Sequence, residues 1–261
     1  MVGCRMKQEK NGSGSMVARP LGKLLLAACG LCLYLGGTTV ASAGGASLLT
    51  PGYQATLESW LGEGRLALTN IYSKAAGDTS ADFHKASDGK GRTFSVMEAT
   101  NAQGQTWLIG GYNPQSWNSS ENFHQTPGDA ERTGFLFNLT SGALHRQMLS
   151  VENSESTGSY QTYNAANTGP TFGLGHDLYV PEDLTHNGYS WLYSYSADPT
   201  QPQQRLSLLD GSVYVTPDIT YGAIQIFTIS AVPEPATYGL LLAGLGVLVV
   251  VRRGRRPASL A

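Results

Sequence analysis

The chain has 261 residues, enough for one medium domain plus processing segments, and only 14% of them are charged. A formal net charge of -2, with no basic stripe across the middle, gives no footprint for nucleic acid and excludes it as a partner. Thirty-two glycines among abundant Ser, Thr, Asn and Tyr point to a mainly β, turn-rich exported domain of the α+β class, and argue against a helical cytosolic enzyme.

The first segment reads as a targeting leader. Arg19 and Lys23 make a positive n-region, residues 24–35 form an apolar run of signal-peptide length, and Ala41-Ser42-Ala43 is a small-residue cleavage site. Export through the Sec translocon and cleavage by signal peptidase after Ala43 are expected, so residues 1–43 form the leader. The polar stretch before Met16 adds nothing to this signal, which makes Met16 a second candidate start. Leu26-Ala27-Ala28-Cys29 looks like a lipidation box, but the apolar run continues past Cys29 to Leu35, where a lipidated Cys should end it. With cleavage at Ala43, Cys4, Cys29 and Cys32 all leave with the leader. The mature chain then has no thiol for a disulfide, a metal site or a nucleophile.

Residues 44–230 make the central domain. Thr50-Pro51 caps and opens a helix with Tyr53, Leu57, Trp60 and Leu61 on one face, ended by Gly62 and Gly64. A second short helix is expected at 81–86, capped by Ser80, before the turn Asp88-Gly89-Lys90-Gly91. Strands follow at 93–97 and 105–109, joined as a hairpin through 101–104, then at 135–139 and 143–149 about the turn Thr140-Ser141-Gly142. Further strands are expected at 178–180, 213–215 and 223–229. The polar stretch 152–169 reads as a mobile loop.

The order of several short motifs resembles a TLDc domain. These are Asp82-Phe83-His84-Lys85, Asp88-Gly89-Lys90-Gly91, Gly110-Gly111-Tyr112, Trp117, Phe135-Leu136-Phe137-Asn138-Leu139, Gly169-Pro170-Thr171-Phe172-Gly173 and Gly175-His176-Asp177-Leu178-Tyr179. Tyr214 and the run Ile224-Gln225-Ile226-Phe227 fit the close of that family. The resemblance implies a two-sheet antiparallel β-sandwich with short flanking helices. The family's final strand usually carries acidic residues before the aromatic, where Ala223 and Gln225 stand here. The vacuolar proton pump that partners eukaryotic members does not carry over to an exported bacterial chain.

His84, Asp88, His176 and Asp177 are the candidate polar site. His84 and Asp88 are four apart and share a helical face if the helix reaches that far; His176-Asp177 follows a glycine-rich turn. A metal would need at least three converging ligands, and spacing alone does not bring them together, so no metal or cofactor is assigned. The competing reading makes Asp177 a turn cap and lets His176 bond backbone carbonyls. No Gly-x-Ser-x-Gly elbow or His-Glu-x-x-His occurs, and Asp88-Gly89-Lys90-Gly91 lacks Walker spacing, so no catalytic residue is assigned and the chain is not expected to be an enzyme. Trp60 and Trp107 sit in amphipathic patterns that suit a core. Trp117 and Trp191, in polar loops near Tyr112, Tyr189 and Tyr193, are the candidate platforms for stacking a sugar.

Residues 231–261 close the chain with three parts in order: Pro233-Glu234-Pro235, an apolar run over 236–251, and Arg252, Arg253, Arg255 and Arg256. Prolines keep the motif extended, and Pro235 suits a helix start. A helix over the run would rise about 24 Å, a short single transmembrane span of a ~30 Å hydrocarbon core. The arginines hold its end in the cytoplasm and leave the domain outside. This tail resembles the PEP-CTERM sorting signal, which implies recognition and cleavage by an exosortase in a Gram-negative host that makes exopolysaccharide. The expectation is an inner-membrane intermediate with a periplasmic domain, then a cell-surface or matrix protein whose non-catalytic domain associates with exopolysaccharide. A permanent single-span anchor stands beside processing. A secreted or periplasmic enzyme, or a metal-dependent oxidative-stress protein, is the alternative from another class.

Overall fold

The computed structural model describes residues 46–150, 157–201, 205–232 and 243–245. The expected leader, with Ala41 and Ala43, lies outside the described residues. So do Pro233, Glu234, Pro235 and Arg252, Arg253, Arg255 and Arg256. Of the expected membrane span only 243–245 is described, and these residues are helical. Among the described residues no helix is long and apolar enough to cross a membrane.

Helix α1 (Pro51–Leu61) starts where Thr50 accepts a hydrogen bond from the Tyr53 amide, and stops at Gly62, which is left-handed at φ 76°. Strand β1 (Leu66–Ser73) follows, then α2 (Ser80–Ser87), which is capped by Thr79 and not by Ser80: the Asp82 carboxylate reaches back to the Thr79 amide. Strands β2 (Thr93–Thr100) and β3 (Thr106–Asn113) form the expected hairpin, in register from Thr93 opposite Asn113 to Thr100 opposite Thr106. Then come β4 (Ser120–Gln125), β5 (Phe135–Asn138), β6 (Ala143–Gln147), β7 (Tyr160–Ala165), β8 (Thr171–Phe172), β9 (Leu178–Tyr179), β10 (Gly188–Ser190), β11 (Tyr195–Ser196) and β12 (Thr216–Ala231).

All pairings between these strands are antiparallel, and their order is β11-β6-β5-β3-β2-β12-β10-β9-β8-β7-β4, with β1 beside β12. The domain is therefore mainly antiparallel β with few helices, as composition implied. The strand path has two arms that meet at β12. Met97 and Ile109 from one arm and Phe172 and Leu178 from the other lie in one fully buried cluster, which α2 closes with Phe83. A second cluster lies on the opposite side of β2, β3 and β5: Phe94, Val96, Phe135 and Phe137 are covered by Leu57 of α1, with Tyr53, Trp60 and Leu61 against them. Alternation along β2 makes this possible, because Phe94 and Val96 point one way and Met97 and Ala99 the other.

Four expectations need correction. Strands β1, β4, β8, β10 and β11 were not expected. The described part of 152–169 is not a loop throughout: it holds a 3-10 turn at Thr157–Ser159 and strand β7. Residues 213–215 are not a strand but an exposed segment leading into β12, with Tyr214 76% exposed. Trp117 is not a surface platform. It is fully buried in the first cluster, donates its indole N–H to Thr93 Oγ1 at 2.9 Å, and takes Phe83 and Phe172 edge to face. Tyr112 is likewise core, packed on Phe94 and Phe135.

Gly111 has a packing reason. A Cβ on it would stand 2.5 Å from Cζ of Phe172 and 2.8 Å from Cδ2 of Leu136, and the Phe172 ring is boxed in by Trp117 and Tyr195. Gly111→Ala is expected to destabilise the domain by about 1–3 kcal/mol in a urea titration, as overpacking does; an unchanged midpoint would show that Phe172 yields freely.

Candidate functional site

The sequence-selected polar residues separate into two groups. At the end of α2, His84 Nδ1 lies 2.8 Å from Asp88 Oδ1, as the spacing of four allowed. Its Nε2 lies 3.0 Å from the carbonyl of Ala165 and 3.1 Å from that of Thr168. The ring is therefore a bracket between α2 and the turn after β7, and the backbone takes up its second nitrogen. Beside it is a cleft of about 450 Å³ lined by Ala81, His84, Lys85, Asp88, Ser119 and Ala166.

Asp177 is fully buried, and its Oδ2 accepts three consecutive amides: Tyr193 at 2.6 Å, Ser194 at 2.7 Å and Tyr195 at 2.9 Å. This is the turn cap that the competing reading expected. Three donors favour the carboxylate, but burial outweighs them and pushes its pKa up to about 7. Gly173, left-handed at φ 80°, lets the carboxylate lie against its α-carbon, where a side chain would collide with it.

Among the described residues the buried His176 Nδ1 finds no carbonyl; only the amide of His176 donates to one, that of Gly173 at 3.3 Å. The His176 backbone is left-handed at φ 66°, and its ring stacks on Tyr179 at 5.4 Å and on Phe123 at 6.0 Å, with Tyr163 tilted at 4.6 Å. Burial lowers its pKa, so the neutral ring is favoured. Tyr189 stacks on Tyr179 at 5.0 Å and continues the row. All five rings are half-buried, so the row has a solvent-facing side. Among the described residues no three His, Cys, Asp or Glu side chains gather into a possible metal site.

Of the two candidate sugar platforms, only Trp191 remains near the surface. The Arg205 guanidinium sits 5.0 Å from the Trp191 ring centre and 4.8 Å from that of Tyr193. With Leu174 and Gly175 these residues line a cleft of about 440 Å³, within the ~300–1,000 Å³ usual for small-molecule sites. The Tyr189 hydroxyl donates to the carbonyl of Gly175 at 3.1 Å, so the aromatic row begins at the rim of this cleft. Sequence reasoning named Trp191 and Tyr193 but missed Arg205 and the row. Trp191 and Tyr193 are spaced by two, which places them on one side of an extended segment. Nothing local ties Arg205 to them.

The tail supplies the decisive likeness. Residues 231–256 match the PEP-CTERM protein-sorting motif. The motif marks an exported protein that an exosortase processes and sorts toward the cell surface. No curated protein matches the chain.

The Asp177 carboxyl titrates near 3.8 when unfolded and near 7 when folded, so between those values the folded chain holds the extra proton. Its contribution to stability is complete at low pH and is lost as pH rises through about 7. Asp177→Asn keeps an acceptor for the three amides and removes the titration. The Tm of the variant minus that of the wild type should rise by several degrees between about pH 4.5 and about pH 8. Parallel Tm profiles would show that Asp177 is charged throughout.

Proposed function

We propose that the chain is an exosortase-sorted cell-surface or matrix protein whose central part is a TLDc-like, non-catalytic binding domain, with exopolysaccharide as its ligand. The sorting motif at 231–256 carries this reading. The leader expected at 1–43 agrees with it, as does the positive-inside tail, which would place the domain on the periplasmic side of the inner membrane before release. The domain supports a binding role through how its polar groups are used. His84 brackets backbone carbonyls and Asp177 caps three amides, so both hold loops in place. Meanwhile a half-exposed aromatic row and a cleft lie next to one another.

The test is the intact mass and fractionation of the native protein, from strains with and without the host exosortase. Loss of both ends, near Ala43 and Pro233, with material outside the inner membrane only when the exosortase is present, is the expected result. The same C-terminal mass, membrane-bound, in both strains would make the chain a permanently anchored protein.

A second reading is a secreted or periplasmic enzyme or a metal-dependent oxidative-stress protein. It is favoured by one observation, the 2.8 Å His84–Asp88 pair beside a cleft that Lys85 also lines. On this reading the purified protein carries stoichiometric metal by elemental analysis, and a deletion strain loses peroxide tolerance. A metal-free protein with unchanged tolerance removes it.

A further inference from the structure

Arg205 is held differently from Arg92, Arg132 and Arg146, of which Arg146 alone also sits over a ring, that of Phe135. Arg92 is paired with Glu63 at 2.7 Å, Arg132 is buried on three carbonyls and Asp129, and Arg146 donates to the Trp60 carbonyl. Arg205 is exposed, and its contacts are the faces of Trp191 and Tyr193. Two rings hold the guanidinium at the cleft, and cation–π contact with them leaves its N–H donors available to a ligand. A guanidinium at a cleft carries a planar fork of donors that receives a carboxylate through two parallel hydrogen bonds.

We infer that this cleft binds the carboxylate of an acidic sugar, a uronate unit of a polysaccharide. The inference rests on the glycan-binding reading above and names its site and ligand class. Arg205 takes the carboxylate while Trp191 and Tyr193 hold the guanidinium in place. Tyr189, half-buried and donating its hydroxyl to the Gly175 carbonyl, borders the cleft where the next sugar of the polymer would lie. The cleft is lined by one cation, so it takes one carboxylate of the polymer. The chain's net charge of -2 also supplies no long-range attraction for a polyanion, so recognition falls on local contacts.

The experiment uses the full-length protein in detergent, with affinity electrophoresis and calorimetry against polygalacturonate, dextran and polyglutamate. Wild-type protein should bind polygalacturonate in a salt-sensitive way and bind polyglutamate weakly. Arg205→Gln should lose about tenfold in affinity, and Arg205→Lys, which keeps the charge but loses the fork, should fall between. Since Arg205 is exposed, circular dichroism of both variants should match the wild type. Polygalacturonate bound equally by wild type and Arg205→Gln overturns the inference. So does polyglutamate bound as tightly as polygalacturonate. Dextran bound without polygalacturonate overturns it too, but leaves glycan binding standing. No glycan bound at all removes both.

Discussion

Strand β12 has to serve two sheet arms and two hydrophobic clusters with one backbone. Its first residues pair with β10 from Thr216 to Ile219, its middle pairs with β2 from Thr220 to Thr228, and its last third pairs with β1 from Gln225 to Ala231. Ile219 and Tyr221 face the cluster between the arms, and so do Ile224 and Ile226. Odd and even positions can share a face only because the register with β2 shifts between Tyr221 and Ile224: one extra residue resets the alternation. After the shift Phe227 and Ile229 fall on the other side, under α1. Without the bulge, one half of the strand would turn its apolar residues to the wrong face.

The polar residues of the domain act mostly on its loops. The short strands β8 to β11 have few ladder bonds, so side chains fix their connections. Asp177 gathers the amides of 193–195 and thereby sets the approach to β11, while His84 ties α2 to the turn after β7. Gln225 performs a similar task on the segment before α1, accepting from the Leu48 amide and donating to the Ala46 carbonyl. A residue that stands where the resemblance leads one to expect an acid thus has a structural use of its own here.

The same Asp177 connection shapes the candidate ligand surface. The turn it caps carries Tyr193, and Trp191 lies two residues earlier, its amide bonded to the Asp177 carbonyl. The rings on which Arg205 rests are therefore built on a segment that Asp177 anchors from beneath. A buried carboxylate under a loop and an exposed guanidinium above it form one continuous piece of structure, which couples the stability of the loop to the geometry of the cleft.

Several features were legible in the sequence because their causes are local. Thr50-Pro51 and Gly62 bound α1 through capping and a left-handed residue, the hairpin of β2 and β3 follows from alternation about a turn, and the sorting tail is read from three adjacent parts. The His84–Asp88 pair is equally local, one helical turn long. Partners far apart in the chain were not legible. Trp117 sits in a polar stretch, yet it is buried because Phe83, Thr93 and Phe172 close around it from three other elements. Strands such as β4 and β10 carry no clear alternation and exist through ladder bonds to neighbours. Arg205 reaches Trp191 and Tyr193 only when the chain folds back. Capping, turn chemistry and periodicity act over a few residues, so sequence alone determined the ends of α1, the β2–β3 hairpin and the sorting signal. Burial and convergence depend on what the rest of the chain brings alongside, and the tertiary structure decided them.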